Sequence, residues 1–463
     1  MTHSGETTVA VPTGALGSGI RAADMKAALA AGAHAFAVDA GSTDSGPSYL
    51  ARAVSKYTRE AVKRDLALLM EAQVKAQIPL LIGSCGTSGT DAGVDWTRDI
   101  VLEIAAELGW SPRVALLYSE QSRAAIKHKN AAGRVRPLAP AAPLTDADVD
   151  ACEHIVALMG PEPYAAAVRA GAQIVLGGRT TDTAVIAAVP LLRGAGTGPA
   201  WHAGKIAECG GQCTVNPLDG GVLIRVRVDD FTVEPLSESN ACDPHSVAMH
   251  MLYENSDPFR LIEPGGVLDV TGARYAAIDR RTVRVAGSRF DPAPYTMKLE
   301  GAANGPFQTI MIVGIADPAV LGDLDAFAER WTAVLYDRAR YGVGDDAEFD
   351  ISLRLYGWNG VSGRTPSPGT PLPPEVGVLF VATAATQALA TAVAKACNAA
   401  FFHYPVKAGI ELPSYAFPFS PAEIERGRAY RFVLNHVVEV DDPAELVRVA
   451  WAEPSRREVA AGA

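Results

Sequence analysis

Residues 8–46, TVAVPTGALGSGIRAADMKAALAAGAHAFAVDAGSTDSG, hold two apolar runs that each end in a short stretch of Gly, Ser, Thr and Asp. TVAVPTG and HAFAVDA read as buried strands, and the Ala-rich segment 22–31 between them reads as a helix. Strand, glycine loop, helix and strand in that order make the βαβ unit of a parallel sheet. The same alternation continues outward. A helix at about 58–77 leads into PLLIGS (79–84), and one at about 96–108 leads into RVALLYS (113–119). After the Pro/Ala-rich connection RVRPLAPAAPL (134–144), the helix in PYAAAVRAG (163–171) feeds QIVLGG (173–178), and a helix follows at 183–192.

Beyond about residue 220 the strands GGVLIRVRVDDFTVEPL, RTVRVAGSRF, YTMKLEGA and FQTIMIVGIAD follow one another with few helices between them. A helix at 324–340, the strands FDISLRLYG and VGVLFVAT and an Ala-rich helix come later, with the surface loop TPSPGTPLPPE at 365–375. The expected architecture is therefore α/β. An N-terminal Rossmann-like open parallel sheet spans 1–220, and a C-terminal α+β domain spans 221–463.

Composition excludes several classes. The 463 residues are 48% hydrophobic and 20% charged, which supports a sizeable core and excludes long disorder. Lys plus Arg is 41 against 52 Asp plus Glu, a net charge of -11 that argues against nucleic acid or an anionic membrane as partner. Six cysteines in so long a chain do not make a disulfide framework. The most apolar stretch, 376–402, is broken by Gln387, Lys395 and Asn398 and divides into a strand and a helix, so no membrane span is expected. MTHSGETTVAVPTG carries neither a basic nor an apolar leader region, and a cytoplasmic location is expected.

In open α/β sheets, ligands bind beyond the carboxyl ends of the strands. TGALGSG (13–19), DAGSTDSG (39–46), GSCGTSGTDAG (83–93) and GGRTTDT (177–183) all follow expected strands. Their N–H groups and hydroxyls suit a carboxylate, a phosphate or a thioester carbonyl. Gly17, Ser42, Thr43, Ser84, Gly86, Arg179 and Asp182 are the candidate binding residues, with Arg179 as a planar carboxylate clamp beside Ser42 and Thr43. Asp44 is a candidate base. Against this stand the ordinary uses of such residues: glycines that make turns, and an Asp182 that caps the next helix. Neither G-x-G-x-x-G nor a P-loop is present, so no NAD or FAD site is expected, and no pyridoxal phosphate (PLP) signature is visible. Cys85 lacks a His partner and is not expected to be a nucleophile.

Three further clusters carry chemistry. In WHAGKIAECGGQC (201–213), helical steps bring His202, Lys205 and Cys209 within about 60° of one another, with Glu208 alongside. Alternation in YTMKLEGA (295–302) puts Lys298 and Glu300 on one strand face, as a cleft pair or as a solvated outer face. In SVAMHMLYE (246–254), His250 and Glu254 stand four apart on an expected helix, a spacing open to a divalent metal but without an identifiable third ligand. A structural His–Glu pair is the plainer reading.

DAGSTDSGPSYL, VKRDL, PLLIGSCG, GGRTTDTA, WHAGKIAECGGQ, SVAMHMLYE, YTMKLEGA, YGWNGVSG and YAFPFSP occur in an order that resembles the acyclic terpene utilisation family, AtuA, from about residue 9 to 441. The resemblance is to the branch whose members often accompany a small separate partner protein. It implies catabolism through branched acyl-CoA esters, but it carries over no catalytic residue. The segments 39–46, 177–182, 202–212 and 295–301 are the most distinctive, and Cys85 stands where alanine is more usual.

The expected function is a lyase or isomerase acting on a small carboxylic acid or its acyl-CoA ester, a hydratase or dehydratase in type. Asp44, His202, Glu208, Lys298 and Glu300 supply the catalytic acid–base candidates. The alternatives are a half-catalytic or non-catalytic subunit completed by a small companion protein, and a metal-dependent lyase or hydrolase. A homo-oligomer is expected.

Overall fold

The computed structural model describes residues 5–367, 369–407, 409 and 411–452. Residues 1–4, at the head of the segment read for a leader, and Pro368, within the 365–375 loop, lie outside the described residues. The chain divides into two compact units, Met1–Ala303 with Arg431–Ala463, and Asn304–Tyr430.

The first unit is built on a sheet whose centre is parallel. Strands β1 (Thr7–Val11), β2 (Ala35–Asp39), β3 (Leu80–Gly83) and β4 (Val114–Tyr118) are followed by two strands that pair outside this sheet, β5 (Val135–Pro137) and β6 (Cys152–Ala157), and then by β7 (Ile174–Gly177). The parallel neighbours run β1-β2-β3-β7-β4. The next strands are β8 (Val222–Val226), β9 (Asp230–Pro235), β10 (Arg260–Glu263), β11 (Gly266–Asp269), β12 (Arg274–Ala277), β13 (Val283–Ala286) and β14 (Arg289–Pro292). Of these, β8, β9, β13 and β12 extend the same sheet with antiparallel pairing. The expected domain boundary near 220 therefore meets no break. Thr7 to Val11 pair residue by residue with Val226 to Val222, so the change from alternating to strand-rich sequence marks a change of strand direction within one sheet. The sheet is mixed rather than purely parallel.

Alternation along the strands gives this sheet two cores. Ala10, Phe36, Val38, Leu80 and Ile82 face one side, against Met25, Leu66, Leu69 and Ile104 from the helices Ala22–Ala30, Arg59–Ala76 and Asp91–Glu107. Val9, Val11, Ala35, Ala37 and Leu81 face the other, against Val185, Ile186, Ala203 and Ile206. Those last residues belong to the helices Asp182–Leu192 and Thr197–Ala207. Thr183 to Pro190 are all buried, as befits a helix that is apolar on every face. Hydroxyl caps set two helix starts: Thr58 Oγ1 accepts from the Ala61 N–H, and Thr90 Oγ1 from the Gly93 N–H. The second cap is why the helix expected at about 96 begins at Asp91.

The second unit has its own core. The long strand β15 (Thr296–Ile315) begins in the first unit, where Leu299–Ala303 pair with β6. Its 307–315 portion belongs to the second unit and pairs with β17 (Val376–Ala384), which also pairs with β16 (Phe349–Tyr356). With β18 (Ile424–Glu439) the order is β16-β17-β15-β18, the split βαβ order of ferredoxin-like layers. The helices Leu324–Val343 and Gln387–Phe402 cover it through Phe327, Trp331, Leu335, Val393, Cys397 and Phe401. The final strand β19 (Arg448–Ala452) returns to the first unit and pairs antiparallel with β4. Among the described residues no helix is long and apolar enough to cross a membrane.

Candidate functional site

The four glycine loops leave the carboxyl ends of β1, β2, β3 and β7, which are neighbours in the sheet. They pack on one another as well as on open space. A Cβ on Gly89 would lie 2.1 Å from the Arg179 amide nitrogen, and one on Gly14 would lie 2.6 Å from the Cys209 carbonyl carbon. These close approaches account for the glycines at both positions.

At their centre Arg179 is buried and already held. Its Nε donates to Glu300 Oε2 at 3.0 Å, and one terminal nitrogen donates to Ser84 Oγ at 3.1 Å and Asp182 Oδ1 at 3.3 Å. Thr43 Oγ1 donates to the same Glu300 oxygen at 3.0 Å, and Lys298 Nζ reaches Glu300 Oε1 at 3.0 Å. Burial alone would raise the Glu300 carboxyl. The charges of Arg179 and Lys298 outweigh it and hold the group at about 2. Glu300 is thus a fixed anion that positions Arg179 and Lys298.

Two cavities open beside this network and share Asp182, Glu208 and Glu254 on their walls. The first, of about 650 Å³, is lined by Asp39, Asp44, Asp182, Glu208 and Glu254, with Lys56 as its single cation among the described residues. The second, of about 690 Å³, combines Arg179, Lys205, Arg260 and Lys298 with an apolar wall that includes Leu158, Leu261, Ile262 and Val267. Several carboxyls here are pushed upward. Burial, then the nearby Asp182, raises Asp39 well above its ordinary value, and Asp39 Oδ1 is buried without a hydrogen-bond partner among the described residues. Burial also raises Asp182 against the opposing charge of Arg179. It lifts Glu208 to about 8 against the pull of its ion-pair partner Lys205. Glu263, buried in the wall of the second cavity, rises to about 7 although Thr183 Oγ1 donates to it at 2.9 Å.

The residues expected from sequence divide accordingly. Ser42, Asp44, Asp182 and Glu208 line the first cavity, and Arg179, Asp182, Glu208 and Lys298 line the second. Ser84 and Thr43 lie behind them as partners of Arg179 and Glu300. Asp182 is the first helical residue, with Thr181 at the cap position, and its carboxylate turns to Arg179. His202 lies outside both cavity linings. Its Nδ1 meets Ser288 Oγ at 2.7 Å, its Nε2 meets Tyr275 OH at 3.1 Å, and burial lowers it to about 3, so it is a satisfied core histidine. The helical stripe of 201–213 is cut short because the helix ends at Ala207.

The Gly17 N–H, with those of Gly19 and Ile20, donates to Asp65, and Gly86 packs on Gly93, so these two glycines shape turns. Cys85 is buried and its thiol is pushed up to about 12, which leaves no reactive thiolate. His250 and Glu254 do not share a helix, because Pro244–Met249 ends before them and Glu254 has φ +58°. His250 instead gathers with Glu208 and Cys209, their ligand atoms all within 4.8 Å of one another.

Sequence reasoning passed over Glu263 and the buried Asp39. For Glu263 a signal exists: RLIE (260–263) alternates exposed and buried, which sets the glutamate on the inward face with Leu261 just before a Pro264–Gly265 turn. No curated protein and no solved structure matches the chain. The family model for the acyclic terpene utilisation family protein AtuA matches residues 45–224 and 230–424, and the chain belongs to that family.

Proposed function

We propose that the protein is a catabolic enzyme that binds a short carboxylic acid with an apolar tail, or its thioester, in the second cavity. There it moves a proton next to the carbonyl, as hydration, dehydration and isomerisation require. The observation that carries this reading is Glu263, a buried carboxyl raised to about 7 in the wall of that cavity. A group titrating near the working pH is the most effective proton carrier. Lys298 and Arg260 supply charge for a carboxylate or a developing enolate, while Leu158, Leu261, Ile262 and Val267 suit an alkyl tail. The first cavity is too rich in carboxylates to favour an anion. Glu300, expected as an acid–base group, serves instead as the anchor of Lys298 and Arg179, and Glu208 as the partner of Lys205.

The test is exchange of the α-proton for solvent deuterium, followed by NMR over a panel of short branched carboxylates and their CoA thioesters. The wild type is expected to catalyse exchange on at least one member, with a limb in kcat/KM near pH 7. Glu263→Gln should lose about 100-fold or more and the limb with it. Exchange at the wild-type rate in that variant would overturn the reading, as would no exchange by the wild type on any member of the panel.

A further inference from the structure

We propose that Glu208, Cys209 and His250 form a binding site for one divalent transition-metal ion, Zn²⁺ by preference, with a coordination position open to the first cavity. Their ligand atoms lie within 4.8 Å of one another, and tetrahedral ligands on zinc are about 3.5 Å apart, so small side-chain movements close the set. The second observation is His250 itself. It is only 5% exposed, and its Nε2 is buried without a hydrogen-bond partner among the described residues. An unpaired ring nitrogen in such a place is costly unless something accepts its lone pair. A main-chain hydrogen bond between the ring and Lys205 helps to hold the imidazole in place, as an outer contact does for a ligating histidine. Tyr253 stacks on the ring at 5.6 Å and fixes its plane.

The surrounding charge suits a cation. Asp39, Asp44, Asp182 and Glu254 line the same cavity with Lys56 as the only cation of its wall among the described residues. Lys205 engages Glu208 through Oε1, which leaves Oε2 for the metal. Backbone geometry holds the thiol in place: Gly14 approaches the Cys209 carbonyl so closely that no side chain fits between them. A thiolate, an imidazole and a carboxylate together suit zinc better than magnesium or calcium, which take oxygen ligands. Three protein ligands with a vacant fourth position is also the pattern of zinc sites that act on substrates.

The experiment uses the full chain, stripped with a chelator and titrated with Zn²⁺ alone against a chromophoric competitor, then with Co²⁺. Binding of one zinc per chain is expected, together with a thiolate-to-cobalt charge-transfer band. Cys209→Ser should abolish the band. Cys209→Ser and Glu208→Gln, both close in size to the native residues, should each weaken zinc binding by about 100-fold or more, at least the cost of losing a group that merely orients a ligand. Cys397→Ser, in the other compact unit, should bind as the wild type does. Absence of stoichiometric metal in the wild type, or equal affinity in Cys209→Ser, would sink the proposal. Because the readout is metal binding, either result leaves the Glu263 reading to its own test.

Discussion

Glu263 and Glu300 are both buried glutamates, and they are expected to answer pH in opposite ways. Glu263 rises to about 7 because burial outweighs the hydrogen bond from Thr183 and the charge of Lys205, so between its unfolded value and pH 7 the folded state holds the extra proton. Its contribution to stability therefore falls as pH rises through that window. Glu300 sits at about 2 because Arg179 and Lys298 overcome its burial, so its contribution is full above the unfolded value and is lost as pH falls towards 2. Thermal melts should separate the two. Glu263→Gln is expected to gain roughly 1–3 kcal/mol over the wild type at pH 8 and to match it below pH 5. Glu300→Gln is expected to lose roughly 3 kcal/mol at pH 7, leaving Arg179 buried without the charge of Glu300 beside it, and the deficit should shrink in acid. The same sign for both variants at pH 8 would contradict this assignment of causes.

At the scale of loops and helices, the glycines were the most legible feature in the sequence and also the one most changed by geometry. Gly89 and Gly32 both have left-handed φ, +65° and +70°, but a Cβ on Gly89 would strike the Arg179 backbone whereas one on Gly32 meets nothing within 4 Å. Gly32→Ala should thus cost about 1 kcal/mol, the strain of the backbone alone. Gly89→Ala should cost at least about 2 kcal/mol more, since two site loops must part. Urea unfolding measures both, and equal costs would mean that the loops do not depend on this contact.

Periodicity was enough to find the strands β1, β2, β3, β4 and β7 and the loops after them, because each strand is apolar on both faces and each loop changes composition abruptly. It could not find the second partner of Glu300, because Arg179 arrives from 121 positions away in the chain. Nor could it keep His202 out of the site. A histidine on a helix declares its face only when its neighbours, here Ser288 and Tyr275, are known. The run SVAMHMLYE looks helical by composition, yet its helix, capped by Asp243, ends at Met249, and that is what turns His250 away from Glu254 and towards Cys209.

At the scale of the whole chain, the sequence changes character near 220 but the fold changes unit near 303. Cutting after 220 would strip β8 from β1, leaving an unpaired strand edge. It would also remove Ile224, Phe231, Val233 and Val283 from the core that covers the helix Thr197–Ala207. Residues 304–430, by contrast, keep β16, β17, most of β15, the helices Leu324–Val343 and Gln387–Phe402 and the aromatic cluster of Phe327, Trp331, Phe380 and Phe401 within one stretch of chain. A segment of that size with its own core folds alone as a rule. The fragment 304–430 is therefore expected to be monodisperse and to melt cooperatively, with the near-ultraviolet dichroism of a packed tryptophan. The fragment 1–220 is expected to aggregate or to lack such a transition. A cooperative 1–220 beside an unfolded 304–430 would return the domain boundary to where composition first put it, and the two cavities would then have to be completed by a separately folding half, since β10, Glu254, Glu263 and Lys298 all lie beyond the cut.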